Sequence, residues 1–208
     1  MTIKERAQYT VEALEAYYPE VKCSLHYTTP LEMLLATQMS AQCTDASVNR
    51  VTQTLFKKYK SVDDFANADL EELEADIHSI GLYHNKAKNI IKCCQQIRDN
   101  FAGEVPNNME DLLTLAGTGR KTANLILGEI FQKPAVVVDT HCIRLTNRIG
   151  LVKTKKPEEI EQKLRQLLPK DKQLATCHRF VWLGRELCTA RSPKCDKCPL
   201  DSICSKKI

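Results

Sequence analysis

Glycine and proline are scarce, 7 and 8 in 208 residues, which excludes a fibrous repeat and a disordered low-complexity chain. No serine- or glycine-rich linker occurs, so any two lobes must pack closely. Long hydrophobic runs are missing too. The longest uncharged stretch is about twelve residues, 33–44, and Gln, Ser and Thr interrupt it. A bilayer crossing needs ~20 mainly apolar residues, so no membrane span is expected. The opening MTIKERAQYT carries charge and no apolar segment. No secretory signal is therefore expected, and the expected compartment is the cytoplasm.

Cysteine is plentiful by contrast. Ten are present, at 23, 43, 93, 94, 142, 177, 188, 195, 198 and 204, and four crowd into the last 21 residues. In a reducing compartment such a cluster points to a metal site rather than a disulfide scaffold. The six upstream cysteines are scattered and read as small buried apolar side chains.

Net charge is only +4, too small to argue from, but its distribution is uneven. Residues 61–80 hold seven acids and no Lys or Arg; residues 112–155 hold seven bases against Glu129 and Asp139. A polyanion would meet the second stretch and avoid the first. Two solvated faces of opposite sign account for the same pattern.

The periodicity is helical almost throughout. Thr29-Pro30-Leu31-Glu32 reads as a capping box opening a helix to about Gln42. Asp45 reads as the cap of the next helix, with Val48, Val51, Leu55 and Tyr59 on one face. Asp69 starts another that Gly81 stops, and a longer helix is expected from about Lys86 to Phe101. Further helices are expected over 109–115, 120–131, 141–149, 157–168 and 172–188. Ala135 to Val138 is too short to be a convincing strand and has no partner, so it reads as buried coil. The fold class is all-α.

The strongest local signal is Leu113-x-Leu115-x-Gly117-Thr118-Gly119-Arg120-Lys121. Two helices joined by a turn with glycine at alternate positions make a helix-hairpin-helix, about 109–131. Glycine admits positive φ and close backbone approach. The N–H groups of the turn and of the next helix then point toward an anion such as a DNA phosphate. A glycine turn between packed helices is the plainer alternative. Lys121 stands at a helix start beside Arg120, and both neighbours disfavour its ammonium form. A neutral amine is what a Schiff-base nucleophile requires; a phosphate-binding lysine fits the same position. Val136-Val137-Val138-Asp139-Thr140-His141 places an acid after an apolar run at a helix entrance. Asp139 can cap that helix and still face the lysine.

The tail reads Cys188-x6-Cys195-x2-Cys198-x5-Cys204. Four thiolates at this spacing suit a tetrahedral zinc or a [4Fe–4S] cluster, and spacing alone does not choose. Arg191-Ser192-Pro193-Lys194 forms a basic loop whose ends the metal would pin, a way to hold cations against a phosphate backbone.

Together LLATQMSAQCTD at 34–45, IGLYHNKAKNI at 80–90, LAGTGRKTAN at 115–124, VDTH at 138–141 and the cysteine tail resemble the endonuclease III family of DNA glycosylase/AP lyases, over essentially the whole chain. The resemblance implies a two-lobed helix-hairpin-helix glycosylase fold. A six-helix barrel domain over 22–132 would be joined by an iron–sulfur domain of 1–21 with 133–208, cluster loop 188–204, and DNA would lie between them. It implies base excision repair of oxidised pyrimidines in duplex DNA. Lys121 would attack C1′ and expel the base as a Schiff base, Asp139 would stabilise the developing sugar cation, and β-elimination would nick the strand 3′ to the abasic site. The base would be flipped out first. Gln42 would fill the hole it leaves and Leu82 would wedge the opposite strand. Gly117, Thr118, Gly119, Arg120, Arg191 and Lys194 would contact DNA. Cys188, Cys195, Cys198 and Cys204 would ligate one [4Fe–4S] cluster, structural in role, with zinc the alternative.

The resemblance further implies a monomer with no nucleotide cofactor, associated with the nucleoid if the source is prokaryotic. The chain departs from the family pattern at Ala116, Thr118 and Ser192. Losing the family proline at 116 should loosen the turn, and the Thr118 hydroxyl offers a further phosphate contact. Two rival readings are a monofunctional adenine glycosylase and a non-catalytic DNA-binding module with a zinc tail. Lys121, and a chain ending four residues past Cys204, argue against the first; Lys121 with Asp139 argues against the second.

Overall fold

The computed structural model describes residues 1–205. All regular structure among them is helical, as expected, and 135–138 is buried coil. The chain divides into two compact units, one of Cys23–Phe131 and one of Met1–Lys22 with Gln132–Ile208.

In the first unit, α2 (Pro30–Met39) is buried on nearly every side, from Leu31 to Met39 with only Glu32 excepted. Its capping box is displaced by one residue. The Thr29 hydroxyl accepts the Glu32 N–H at 3.2 Å, but the Glu32 carboxylate accepts from the Thr28 N–H and hydroxyl instead of from Thr29. α3 (Asp45–Lys58) packs Val48, Val51 and Leu55 inward. Thr44, not Asp45, caps it, its hydroxyl accepting the Ser47 N–H at 3.3 Å. Asp45 occupies the first helical position, where the helix dipole favours an acid.

α4 (Val62–Ala66) is a five-residue helix that hydrophobic periodicity does not reveal, opened by a complete capping box of Ser61 and Asp64. α5 (Leu70–Asp76) is capped by Asp69 and ends before Gly81, with Ile77 and Ile80 buried beyond its last turn. Both pack on α6 (Tyr83–Asn100), which begins three residues earlier than the sequence suggested. Its N-cap is Leu82, in the left-handed region with no side-chain cap, so no start signal was there to read. α7 (Met109–Thr114) and α8 (Arg120–Glu129) complete the unit, α8 lying against α2.

In the second unit, α1 (Ile3–Tyr17) packs on α10 (Pro157–Leu167) and α11 (Gln173–Glu186), and α11 packs on α9 (Thr140–Ile149). Ala7, Leu14, Cys142, Leu164, Phe180 and Leu183 meet in its core. Burying each large apolar side chain stabilises the fold by about 1.5–3 kcal/mol. Arg6 ties α1 to the rest of this unit by donating to the Ile149 carbonyl at 3.0 Å and to the Ile203 carbonyl. Arg179 donates back to Tyr18 and Pro19 carbonyls at 3.0 and 3.2 Å.

Candidate active site and cysteine-lined cavity

The hairpin lies between α7 and α8. Gly117 has φ +74°, and a Cβ there would sit 3.1 Å from the Asn89 Cβ, so conformation and space both demand glycine. Gly119 differs: its φ is −99° and an added Cβ would meet no protein atom. The room at Gly119 is room for a ligand. It is also the N-cap of α8 and supplies no capping side chain, so the N–H groups of the first turn at Arg120, Lys121 and Thr122 have no intrahelical acceptor. Two glutamines far away in sequence hold the turn. Gln38 of α2 donates to the Ala116 carbonyl at 3.0 Å and to the Thr118 hydroxyl oxygen at 3.1 Å. Gln96 of α6 accepts the Ala116 N–H at 2.7 Å and donates to the Thr114 carbonyl at 3.0 Å.

These contacts correct one expectation. Thr118 is buried, its hydroxyl faces Gln38, and its N–H donates to the Leu115 carbonyl at 3.1 Å. Its side chain braces the turn from within and does not face a phosphate. The anchoring by Gln38 and Gln96 also removes the expected looseness at Ala116. The sequence offered one clue: Gln38 lies in a helix buried on nearly every side, and a buried amide needs partners.

Lys121 is exposed at the second position of α8. It acts electrostatically on Cys23, whose thiol is pushed up to about 11, mainly by burial, with Glu129 and Asp45 adding to the rise and Lys121 opposing it. Tyr27 donates its hydroxyl to Glu129 at 3.0 Å, and burial with that carboxylate holds the phenol well above its usual range.

Gln42 and Leu82 share an uncommon property. Both are non-glycine residues at positive φ, +56° and +62°, and both are exposed, Leu82 by 55%. A left-handed conformation costs a non-glycine residue about 1–3 kcal/mol and persists only where its surroundings impose it. A large apolar side chain held out in water on strained backbone is poorly explained by stability alone.

In the other unit, Asp139 caps α9: its Oδ1 accepts the Cys142 N–H at 2.7 Å. The residue is half-buried, and its second oxygen lies outside that bond. His141 packs against Gly184 of α11 so closely that a Cβ on Gly184 would fall 2.3 Å from the His141 Nδ1. Burial lowers the His141 pKa, with the Arg144 and Arg185 cations adding to the effect and Asp139 opposing it.

Two of the seven bases in 112–155 do not face outward. Arg144 donates to the Cys188 carbonyl at 2.9 Å and the Gly184 carbonyl at 3.0 Å. Arg148 is 8% exposed and donates to the carbonyls of Thr189 and Ala190 at 2.8 and 2.9 Å and to the Cys188 Sγ at 3.2 Å. These arginines shape the cysteine loop, which narrows the basic surface offered to a polyanion. Lys121, Lys153 and Lys155 are exposed, as are Arg191 and Lys194 of the cysteine loop.

Cys188, Cys195, Cys198 and Cys204 line one small cavity together with Arg148, Leu187, Pro193 and Lys194. The loop is closed by the Lys194 N–H donating to the Leu187 carbonyl at 2.8 Å. Burial raises the Cys198 pKa, and the three other thiols raise it further, so the four sulfurs sense one another. Four thiolates gathered in one part-buried space need a compensating cation, which fits a metal centre. Among the described residues no three His, Cys, Asp or Glu side chains converge on a single ion. The donor set, thiols only and lining a common space, fits a [4Fe–4S] cluster better than one zinc.

Comparison with known proteins follows the same lines. Residues 35–170 match the family model for the HhH-GPD superfamily base excision DNA repair protein, and residues 188–204 match that for the iron–sulfur binding domain of endonuclease III. The chain is 44% identical over 201 residues to Endonuclease III of Bacillus subtilis (strain 168), covering 96% of this chain and 92% of that protein. It is 45% identical over 202 residues to Endonuclease III of Synechocystis, covering 97% and 92%. A solved structure of a trapped Endonuclease III–DNA covalent intermediate, an estranged-adenine complex, has a TM-score of 0.94 and 43% identity, covering 99% of this chain and 97% of that one.

Proposed function

The chain belongs to the endonuclease III family within the HhH-GPD superfamily of base excision DNA repair proteins, and from that premise we propose how its own residues carry out the reaction. It is a DNA glycosylase and AP lyase that binds DNA and carries an iron–sulfur cluster. The substrate we assign is an oxidised pyrimidine in duplex DNA, the enzyme acting as a monomer in the cytoplasm or nucleoid. No helix among the described residues is long and apolar enough to cross a membrane.

The observation that carries the site assignment is Lys121 standing exposed one residue into a helix whose N-terminus is uncapped, just after a hairpin with an open face at Gly119. Phosphate oxygens take the orphan N–H groups at Gly119 and Arg120 and fix the strand's register without reading its sequence. Gly117 shapes the turn. Its neighbour Thr118 supports it through Gln38, and Arg191 and Lys194 add cationic contacts.

With the damaged nucleotide rotated out of the stack, the Lys121 amine attacks C1′. The C1′–N bond breaks, the base leaves, and the resulting iminium makes the C2′ proton acidic. Loss of that proton expels the 3′ phosphate by β-elimination. Asp139, fixed by its bond to the Cys142 N–H, stabilises positive charge developing on the sugar and accepts and returns the amine proton. Gln42 occupies the space the nucleotide vacates and Leu82 separates the opposite strand. The cluster that Cys188, Cys195, Cys198 and Cys204 would hold is structural, since all four of its iron ligands are protein thiolates. It holds Arg191 and Lys194 in a short loop with little core beneath.

The assignment is tested with Lys121→Ala on a duplex carrying one oxidised pyrimidine. Base release and nicking are both lost while duplex binding is kept. Retention of full lyase activity contradicts it.

A further inference from the structure

Lys86 is the buried residue that connects the two left-handed positions. It is 6% exposed, and its ammonium donates to the Met39 carbonyl at 2.8 Å, to the Ala41 carbonyl at 2.8 Å and to the Cys43 Sγ at 3.5 Å. A lysine has three N–H donors, so these contacts use the whole head group. Met39 ends α2, and Ala41 and Cys43 flank Gln42. Helix-end carbonyls lack intrahelical donors and carry the negative end of the dipole, which suits a cation. The backbone of the same residue holds the other position: the Lys86 N–H donates to the Leu82 carbonyl at 3.1 Å. A Cβ on Gly81 would lie 3.7 Å from the Cys43 Sγ, so the two segments also touch directly.

The placement of Lys86 runs against local preference. A lysine in the first turn of a helix faces the positive end of the dipole, and a buried cation costs free energy unless it is fully bonded. A stability role alone is served by a smaller polar residue. A single residue joining Gln42 to Leu82 serves a different purpose, because insertion into DNA requires both loops to be formed together before contact.

We propose that Lys86 is a positioning residue for base extrusion, holding Gln42 and Leu82 in their left-handed conformations so that both enter the duplex without first being ordered. It acts by preorganisation and touches no reacting atom. The inference rests on the insertion roles assigned above to Gln42 and Leu82.

The test compares two substrates. A duplex lesion requires extrusion; an abasic site in single-stranded DNA does not, because it has no stack to open. Lys86→Met, similar in length but unable to donate, lowers base release from the duplex by about ten- to a hundredfold and leaves single-strand nicking within about twofold. In a Gln42→Ala/Leu82→Ala background the same substitution adds less than about twofold, since nothing remains to position. Equal loss on both substrates, undiminished loss in the double-variant background, or no loss at all overturns the proposal. If Gln42→Ala/Leu82→Ala itself keeps full duplex activity, the insertion reading fails, and that failure is visible without Lys86. Lys86→Gln, which keeps a donor, provides the same comparison where Lys86→Met does not fold.

Discussion

The Arg148 guanidinium donates to the Cys188 Sγ at 3.2 Å, and the Arg148 carbonyl accepts from the Cys204 Sγ at 3.3 Å and from the Ser205 N–H at 3.1 Å. One residue therefore touches the first and the last cysteine of the cluster loop. Its head group also fixes the chain between Cys188 and Ala190. Replacing a residue in this outer position weakens metal binding by about 10–100-fold. Arg148→Ala is expected to yield protein with less than one cluster per chain and faster loss to a chelator, read as iron content and visible absorbance. Lys121-dependent chemistry in the remaining holoprotein should be little changed.

The two hairpin glycines should separate fold from binding. Gly117→Ala forces a Cβ into the left-handed region beside Asn89 and is expected to cost about 1–2 kcal/mol of stability by denaturant unfolding. Gly119→Ala meets no atom at an ordinary φ, so stability should move by no more than about 0.5 kcal/mol. Duplex affinity should nevertheless fall, because the methyl group blocks close approach of a phosphate.

Leu82→Asn tests whether the strain at 82 serves insertion. Asparagine tolerates the left-handed region, and a side chain already 55% exposed loses little burial, so stability should be unchanged or rise by up to about 1 kcal/mol. Activity on duplex lesions should fall by about 1–3 kcal/mol in transition-state terms, the size of a stacking contact. Opposite signs in unfolding and single-turnover measurements are the expected result.

Stability should decline as the solution is acidified below neutrality, and His141 should contribute. Its folded pKa is lowered, mainly by burial, so the folded state holds the neutral ring while the unfolded chain takes up a proton near the ordinary histidine value. The contribution is present above about pH 6.5 and is lost as pH falls through the folded pKa. His141→Asn should flatten the pH dependence of unfolding between neutrality and pH 5.

The parts of the site legible in the sequence are those built from neighbours in the chain. The hairpin glycines, the Asp139 cap and the cysteine tail each sit within a few residues, and their spacing carries their geometry. Gln38, Gln96, Lys86 and Arg148 act on segments 20 to 80 residues away, and no local pattern announces such partners. The same limit explains Thr118, which reads as a surface hydroxyl until Gln38 is placed beside it, and Arg144 and Arg148, which read as surface charge. α4 was within reach, since Ser61-x-x-Asp64 is a start signal even where five residues are too few for periodicity.

The most direct test of the account is borohydride reduction of the enzyme on a duplex containing one thymine glycol, with wild type beside Lys121→Ala. Borohydride turns a transient Schiff base into a stable amine. The expected result is a covalent protein–DNA band with the wild type alone. Absence of the band from both proteins, or its persistence in Lys121→Ala, contradicts the assignment of Lys121 as the nucleophile.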